Sequence, residues 1–442
     1  MRTLVVTVLL SLLASTVLAS VVPDDLEEIV SRDYQEHLGD LFVHFHENPE
    51  LSFLEHETAK RLAAELREAG VEEVVEGVGG TGVVGMMRNG DGPLVLVRAD
   101  MDGLPVKEES GLPYSSTVTQ VDITGEEVPV MHACGHDVHI TSLVGTARRL
   151  AAMKDRWSGT VMFIGQPAEE RIGGAKAMLE DGLYERFGVP DYALAFHVSA
   201  DTPTGKVLLR PGLTYSSSDS VDLIVKGIGA HGASPHRGKD PIYIASKIVI
   251  ALQGLVSREL APLEPGVVTV GSFHSGFKHN IISDEAKLEL TVRSDSEETR
   301  KKLLDGIERV ANGIAATAGL PEDLWPEIRV GFESTPTTVN NPELTERVLQ
   351  AFTRELGEDR IHHQERTGMG AEDFAYFVQT EHKVPGAYFA VGGTPQADID
   401  AAKNGGPPVP SHHSPFFKIT PEPAVITGVT ATVVAVLELI GK

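Results

Sequence analysis

Short apolar runs of strand length alternate along much of this chain with segments whose apolar residues recur at helical spacing. Such an alternation predicts an α/β sheet with helices on both faces, because each element then buries its apolar side. The predicted strands are 83–87, 94–97, 161–164 and 192–196, and the predicted helices are 26–47, 55–70, 138–153, 342–355 and 423–439. The sequence therefore predicts an α/β fold, and 442 residues are enough for two domains.

The pattern changes between residues 212 and 325. Val221, Leu223 and Val225 alternate as in a half-buried strand. The elements predicted after it are a helix at 241–259, strands at 267–273 and 287–292, and a helix at 297–317. This βαββα block predicts an inserted domain, which leaves 20–211 and 326–442 for the sheet domain.

Residues 1–19 follow a different pattern. Arg2 precedes an apolar run from Leu4 to Leu13, and Val17-Leu18-Ala19 fits a small-residue cleavage site. The pattern predicts a signal peptide and an exported protein, either periplasmic or secreted, with an uncleaved membrane anchor as the alternative. No later segment is expected to reach the length of a transmembrane helix, so no membrane is expected to hold the processed chain.

The charge of the chain argues against one class of partner. Its 38 basic and 63 acidic residues give a net charge of −25. Because phosphate binding depends on Lys and Arg displacing counterions, a nucleic acid partner is not expected. The segment Gly80-Thr-Gly82-Val-Val-Gly85 matches a dinucleotide-binding pattern, which works only where the glycines open a helix. Here a turn at 89–92 follows, so we interpret the segment as a strand entering a hairpin.

The strongest local signal is His132-Ala-Cys134-Gly-His136-Asp137-Val-His139. Thiolate and imidazole are favoured ligands of zinc and other late first-row metals, and Cys134 and His136 are spaced to face one ion. Asp137 is expected to hold an imidazole in its correct tautomer. Cys134 is the only cysteine, so an intramolecular disulfide is excluded.

Carboxylates and further histidines follow the predicted strands. Asp100 and Asp102 come after the strand at 94–97, and Glu169 and Glu170 come after the strand at 161–164. In open α/β sheets, sites form outside the carboxyl ends of the strands. Metal-assisted hydrolysis needs one carboxylate for the ion and another for the proton of the attacking water, and two adjacent glutamates can divide these roles. His197 follows the strand at 192–196, and His413 lies in a His-His-Ser-Pro segment.

Taken in order, these segments resemble the M20 metallopeptidase superfamily, in its amidohydrolase branch. The resemblance covers nearly the whole mature chain. It is carried by the segments that begin at His46, Arg98, His132, Glu169, Gly370 and His413. A seventh segment, Gly229-Ala-His231-Gly-Ala-Ser-Pro-His236, lies in the inserted block and resembles the motif whose first histidine stabilises the reacting carbonyl.

The resemblance implies a role for each candidate residue. Cys134, His136, Glu170, His197 and His413 would be ligands of two divalent ions, which could be Zn, Mn, Co or Ni, and Glu169 would be the general base. His231 would stabilise the oxyanion, Asn280 would contact the substrate, and Asp102 and Glu372 would support the ligands. The block 212–325 would be the dimerisation, or lid, domain of a homodimer or higher oligomer. His139 and His412 leave alternative ligand sets open.

The resemblance also implies the activity. It predicts a metal-dependent hydrolase that cleaves the amide bond of N-acyl amino acids, such as hippurate-like or N-acetyl compounds, or of small peptides. The attacking water would lose its proton to Glu169. Two other interpretations remain, an amidase with Cys134 as nucleophile and a catalytically silent binding protein.

Overall fold

The computed structural model describes residues 21–442, so the predicted signal peptide lies outside the described residues. The α-helices are α1 (Leu26–Asp33), α2 (Gly39–Glu47), α3 (His56–Glu68), α4 (His136–Ala152), α5 (Gly174–Glu180), α6 (Leu183–Phe187), α7 (Pro241–Gly254), α8 (Glu297–Thr317), α9 (Pro342–Leu356), α10 (Ala375–Val378), α11 (Gln396–Lys403) and α12 (Pro421–Ile440). A π-helical turn at Tyr34–Leu38 joins α1 to α2. The predicted helix at 26–47 is therefore divided into three parts.

The strands up to residue 215 are β1 (Glu73–Val78), β2 (Gly82–Asn89), β3 (Leu94–Asp100), β4 (Thr119–Val121), β5 (Glu127–Pro129), β6 (Gly159–Gln166), β7 (Tyr192–Pro203), β8 (Val207–Leu208) and β9 (Gly212–Tyr215). Those that follow are β10 (Ser217–Lys226), β11 (Ala230–His231), β12 (Gly266–Ser275), β13 (Ile281–Ile282), β14 (Glu285–Ser294), β15 (Glu327–Thr335), β16 (Thr338–Asn340) and β17 (Gly386–Thr394).

A seven-stranded sheet with the order β1-β2-β6-β3-β7-β17-β8 forms the centre of the larger domain. Its inner strands β6, β3, β7 and β17 are parallel, and β1, β2 and β8 run antiparallel to their neighbours. The predicted hairpin of β2 with β3 is wrong, because β6 lies between these two strands. β2 still begins at Gly82, so the glycine pattern lies on a strand and not at the start of a helix.

Helices cover both faces of this sheet. Val95 and Val97 belong to the apolar cluster on one face, which includes residues of α4 and α12. Leu96, between them, belongs to the cluster on the other face, with residues of α5 and α10. Since alternate side chains of a strand point to opposite faces, β3 is buried on both sides. The α/β prediction is confirmed.

The C-terminal helix α12 corrects the expectation that no later segment is long enough to cross a membrane. It has 20 residues and a mean hydropathy of 2.0, which meets that test by length and composition. However, 83% of its apolar window is buried inside the fold. Val429, for example, lies within 4 Å of the position that a Cβ on Gly145 of α4 would take. We therefore describe α12 as a core helix.

A second, four-stranded antiparallel sheet has the order β12-β14-β10-β15. α7 and α8 pack on it and share one apolar core with it. The predicted block 212–325 omits the fourth strand, Glu327–Thr335, which pairs with β10. The observed order is therefore βαββαβ, and the inserted unit extends past residue 325.

The two domains meet beside the predicted carboxylates. Arg171 forms an ion pair with Glu333 on β15 at 2.8 Å. Next to it the ring of Phe332 lies against Gly173, where a Cβ atom would be 2.1 Å from the ring. A side chain at position 173 would displace this ring, so glycine favours the close approach. The inserted domain consequently faces the carboxyl ends of the central strands.

Candidate metal centre

Three parallel strands bring the candidate residues to one edge of the central sheet. β3 ends two residues before Asp102, β6 ends three residues before Glu169, and β7 contains His197. His136 begins α4, which packs against β3 and β7. The side chains predicted from separate segments therefore converge where sites form in open α/β sheets.

Gly135 separates Cys134 from His136 at the start of α4. Its φ of 89° lies in the left-handed region, and a Cβ atom there would be 2.3 Å from Cγ1 of Val198. Only glycine meets both conditions. The turn directs the cysteine and the histidine to the same cluster.

The five predicted ligands lie close together. Sγ of Cys134 is 3.4 Å from Nε2 of His197. Glu170 lies between His136 and His413. Its Oε1 is 3.9 Å from Nε2 of His136, and its Oε2 is 3.4 Å from Nε2 of His413. Ligand atoms of Cys134, His136 and Glu170 lie within 4.8 Å of one another.

These residues fit a divalent cation. Nε2 of His136 and Oε1 of Glu170 are buried, and within residues 21–442 neither has a hydrogen-bond partner. Buried polar atoms without partners are costly, and a bound ion would satisfy them. Burial disfavours a charged His136, but the carboxylates of Asp100 and Asp102 outweigh it and raise its pKa to about 10. The cluster thus favours a positive charge at this place.

Hydrogen bonds fix the tautomers of two histidines beside the cluster. Nδ1 of His197 donates to the carbonyl of Val198 at 2.6 Å, which leaves the lone pair of Nε2 facing Cys134. His139 uses both nitrogens, because Nδ1 donates to Asp100 at 2.5 Å and Nε2 accepts from the N–H of Val198 at 2.8 Å. His197 is therefore free to bind a metal, whereas His139 is not.

His412, the second histidine for which the sequence left an alternative ligand set open, lies near Cys134. Its Nε2 accepts from the N–H of Ala200 at 3.2 Å, so Nδ1 carries the proton of the neutral ring. That Nδ1 is 3.7 Å from Sγ of Cys134 and can donate to the sulfur. The ligand atoms of Cys134, His197 and His412 also lie within 4.8 Å of one another. In this tautomer His412 acts on the thiol and is not a sixth ligand.

Asp102 supports three members of the site. Its carboxylate accepts from the backbone N–H of Glu169 at 3.1 Å and of Glu170 at 3.0 Å. Oδ1 also lies 3.3 Å from Nδ1 of His136, and Ser52 donates to Oδ2 at 2.6 Å. A carboxylate behind a ligand histidine orients the ring and raises its basicity.

A buried ion network lies beneath the cluster, and the sequence did not reveal it. The fully buried guanidinium of Arg98 donates to Asp100 at 2.6 Å and to Glu372 at 2.7 Å. Tyr388 also donates to Glu372 at 2.5 Å. The partners Arg98 and Glu372 are 274 positions apart, so only the fold brings them together. Glu372 is thus held by a buried arginine and a tyrosine.

Asp137 contacts a histidine outside the cluster. Its Oδ2 is 2.7 Å from Nδ1 of His46, and Nε2 of that ring is 3.2 Å from Glu108. Burial opposes protonation of His46, but the two carboxylates outweigh it and raise its pKa to about 9. Asp137 thus contacts the imidazole of His46, which is not one of the proposed ligands.

Glu169 lies in a strained loop among other carboxylates. Ala168 and Ile172, on either side, have φ values of 49° and 54°, which L-residues adopt only at an energetic cost. The carboxylate oxygens of Glu169, Glu372 and Asp373 lie within 4.8 Å of one another. Burial, and after it the charge of Glu372, raises the pKa of Glu169 well above its ordinary value. Such a carboxylate is suited to accept and return a proton near neutral pH.

Cys134 is poorly placed to act as a nucleophile. Burial, followed by the charges of Glu170 and Glu169, raises the pKa of its thiol well above the ordinary value. A nucleophilic cysteine requires the opposite shift, since the thiolate is the reactive form. A divalent ion would deprotonate a coordinating thiol, so this environment favours a ligand role.

A cavity of about 760 Å³ lies between the cluster and the inserted domain. Cys134, Glu169, Glu170 and His197 line one side, and Ser218, Ser220, Thr291, Arg293 and Glu333 line the other. The sequence did not single out Arg293. It donates to Thr291 at 3.4 Å and to the carbonyl of Met369 at 3.3 Å, and within residues 21–442 it forms no ion pair. The cavity thus contains, besides its carboxylates, a guanidinium that is not engaged in an ion pair within the described residues.

His231 and Asn280 lie together, but away from the cluster. The N–H of Gly232 donates to the carbonyl of Asn280 at 2.8 Å, and β11 pairs with β13 beside them. Neither residue lines the cavity at the cluster. Nδ1 of His231 accepts from the N–H of Ala233 at 3.0 Å, so the exposed Nε2 carries the proton of the neutral ring. His231 is therefore not part of the cavity wall that contains Glu169.

Known proteins are similar to this chain over most of its length. The profile described as Peptidase family M20/M25/M40 matches residues 96–405. Thermostable carboxypeptidase 2 of Saccharolobus solfataricus is 39% identical over 376 residues, which cover 83% of this chain and 89% of that protein. Hippurate hydrolase of Campylobacter jejuni is 40% identical over 336 residues, which cover 76% of this chain and 83% of that protein.

Among solved structures, the chain is similar to the YXEP protein of Bacillus subtilis, described as a dinuclear metal binding peptidase from the M20 family. The TM-score is 0.72 and the identity 30%, with 92% of this chain and 99% of that chain covered.

Proposed function

Since this chain belongs to peptidase family M20/M25/M40 and is a metal-dependent amidohydrolase, we propose that it cleaves N-acyl amino acids that carry a free carboxylate. The amide bond between the acyl group and the amino acid is broken. A small peptide belongs to the same chemical class when its C-terminal residue is the leaving group.

The observation that carries this proposal is the unpaired Arg293 in the cavity at the cluster. Burial lowers the pKa of Arg293 from its ordinary value, and a guanidinium still keeps its charge at neutral pH. A substrate carboxylate would form a bidentate ion pair with the guanidinium of Arg293. The names carboxypeptidase and hippurate hydrolase, borne by two relatives, each denote substrates with a free carboxylate.

The reaction requires a proton acceptor, a proton donor and support for an oxyanion. Two divalent ions held by Cys134, His136, Glu170, His197 and His413 would polarise the carbonyl and acidify a water. Glu169 takes the proton of this water and passes it to the leaving amine. Asp102 keeps the backbone of Glu169 in place for both transfers.

We further propose that a second copy of the chain completes the site. His231 carries its proton on an exposed Nε2, which suits a donor to an oxyanion, but no cavity at the cluster of its own chain includes it. The inserted domain exposes apolar side chains on α7, namely Ile242, Tyr243 and Ile250. A homodimer through this domain would cover them and carry His231 to the partner's site.

Export is the remaining proposal. The pattern of residues 1–19 supports a signal peptide and a periplasmic or secreted enzyme. Mass measurement of the protein recovered outside the cytoplasm tests it. A mature chain that begins at Ser20 is expected, and an unprocessed cytoplasmic chain would overturn it.

The substrate class is tested by comparing an N-acyl amino acid with its C-terminal carboxamide. The acid is expected to be hydrolysed with a kcat/KM at least about tenfold higher, because only the acid satisfies the guanidinium. Equal rates for the two compounds would overturn the proposal.

A further inference from the structure

Glu170 also lines a second cavity, of about 380 Å³. This volume falls in the range of roughly 300–1,000 Å³ that small-molecule sites occupy. Glu170 lines both this cavity and the one that contains Arg293. Two cavities that share Glu170 are therefore available for the two ends of a substrate that reacts at the cluster.

The walls of the second cavity are built from four chain segments, 51–54, 103–105, 122–124 and 170–171. The apolar side chains that line it are Leu51, Leu54, Leu104, Pro105 and Ile123. Ile123 lies in the turn between β4 and β5, and it is 61% exposed. A single exposed isoleucine is ordinary, but this one stands at the rim of an apolar cavity.

Gln120 holds the hairpin of β4 and β5 against the opposite wall. Its Oε1 accepts from the N–H of Leu51 at 2.7 Å, and its Nε2 donates to the carbonyl of Leu54 at 3.2 Å. The two walls are thus connected by hydrogen bonds before any ligand binds. Such a preformed cavity costs a ligand little ordering of the protein.

The polar side chains in these walls already have partners. Ser52 donates to Asp102, and Arg171 pairs with Glu333. Asp122 accepts from the N–H and the hydroxyl of Thr124 at 2.8 and 2.7 Å. Apart from Glu170, the cavity therefore offers a ligand a mainly hydrocarbon surface.

We propose that this cavity receives the acyl group of the substrate, and that the enzyme prefers apolar acyl groups of several carbons to acetyl. This inference rests on the proposed function, in which Arg293 holds the carboxylate. When the carboxylate of the substrate lies at Arg293 and the scissile amide lies at the cluster, the acyl group extends past Glu170 into the apolar cavity. Ile123 is then a residue that determines specificity.

The test compares acetylglycine, butyrylglycine and hexanoylglycine, which share a leaving group and differ only in apolar surface. For the metal-loaded wild type, kcat/KM is expected to rise with chain length by up to about fourfold per buried methylene. For Ile123→Ser, the ratio of hexanoyl to acetyl kcat/KM is expected to fall at least about fivefold, while Ile123→Leu keeps most of it.

Val121→Ser is the matched control, because Val121 is 56% exposed on the same hairpin and does not line the cavity. It is expected to keep the wild-type ratio. A wild type without acyl preference, or an equal loss in Ile123→Ser and Val121→Ser, would overturn the inference but leave the proposed function standing.

If the proposed function is wrong, the observation differs, because the enzyme then hydrolyses none of the three amides. Calorimetric titration of the same compounds then still tests the cavity. Tighter binding of hexanoylglycine than of acetylglycine, reduced by Ile123→Ser only, would support an acyl-binding cavity. Equal affinities would refute it.

Discussion

Oδ1 of Asp102 lies 3.3 Å from Nδ1 of His136, on the side of the ring opposite to the nitrogen that faces Glu170. The same carboxylate accepts the backbone N–H groups of Glu169 and Glu170. One buried side chain therefore orients a proposed ligand and the loop that carries the proposed base. Its removal should affect metal binding before it affects the fold of the sheet.

Asp102→Asn is expected to weaken metal affinity about 10-fold to 100-fold, because His136 loses the carboxylate that orients it. Competition with a chromogenic chelator measures this affinity. Asp91→Asn, a change at an exposed loop position, is the control and should bind metal as the wild type does. Wild-type affinity in Asp102→Asn would contradict this role.

Arg293→Gln is expected to raise KM for N-acyl amino acids at least about tenfold, because the substrate carboxylate loses its charged partner. The corresponding carboxamides should be affected far less. Arg329→Gln, a change of an exposed arginine on β15 of the same sheet, serves as the control. The same loss for acid and carboxamide would show that Arg293 acts on the domain and not on the carboxylate.

His231→Ala and Glu169→Gln are each expected to lower kcat by roughly 100-fold or more, since one removes the oxyanion donor and the other the base. If His231 acts on the partner's site, an equimolar mixture regains activity. Half of the randomly assembled dimers pair the two variants and contain one intact site of two, so about one quarter of wild-type activity is expected. A mixture of assembled dimers that is as inactive as its components would contradict a site shared between two subunits.

The contact of His46 with Asp137 predicts a pH dependence of stability. The pKa of His46 is raised to about 9 in the folded protein, against 6.5 in its ordinary state. The folded state thus binds this proton more tightly. Below pH 6.5 the contact contributes its full amount, up to about 3 kcal/mol, to the free energy of unfolding. This contribution is lost as the pH rises towards 9.

Urea unfolding of the metal-free protein between pH 6 and 9.5 measures this dependence. His46→Gln is expected to be less stable at pH 6 and to lose less stability as the pH rises. The same slope in the variant and the wild type would contradict the assignment.

The local pattern of the sequence was sufficient to predict the α/β class and most elements of the sheet domain. β3, for example, is apolar on both faces, so its apolar run is continuous. The pairing of the strands was not predictable in this way. Adjacent strands with a tight turn between them suggest a hairpin, but β6 returns from some 60 residues later and separates β2 from β3.

The same limit applies to the site. Cys134 and His136 form a recognisable local pattern, and the resemblance supplied roles for residues far apart in the chain. Arg98 and Arg293 carry no local signal, since their roles depend on what faces them after folding. Arg293 lies near the end of β14, a strand with alternating burial, and that position is the only local feature that could have drawn attention to it. Its significance depends on how the inserted domain is oriented towards the cluster, which the sequence does not give.

The most direct test of the account measures metal content and hydrolysis on the same preparation. The protein is stripped with a chelator, reloaded with Zn, Mn, Co or Ni, and assayed with benzoylglycine at each stage. We predict about two ions per chain after reloading, loss of activity on chelation and recovery on reloading. No bound metal after reloading, or hydrolysis that is indifferent to the chelator, would contradict the account and return attention to Cys134 as a nucleophile.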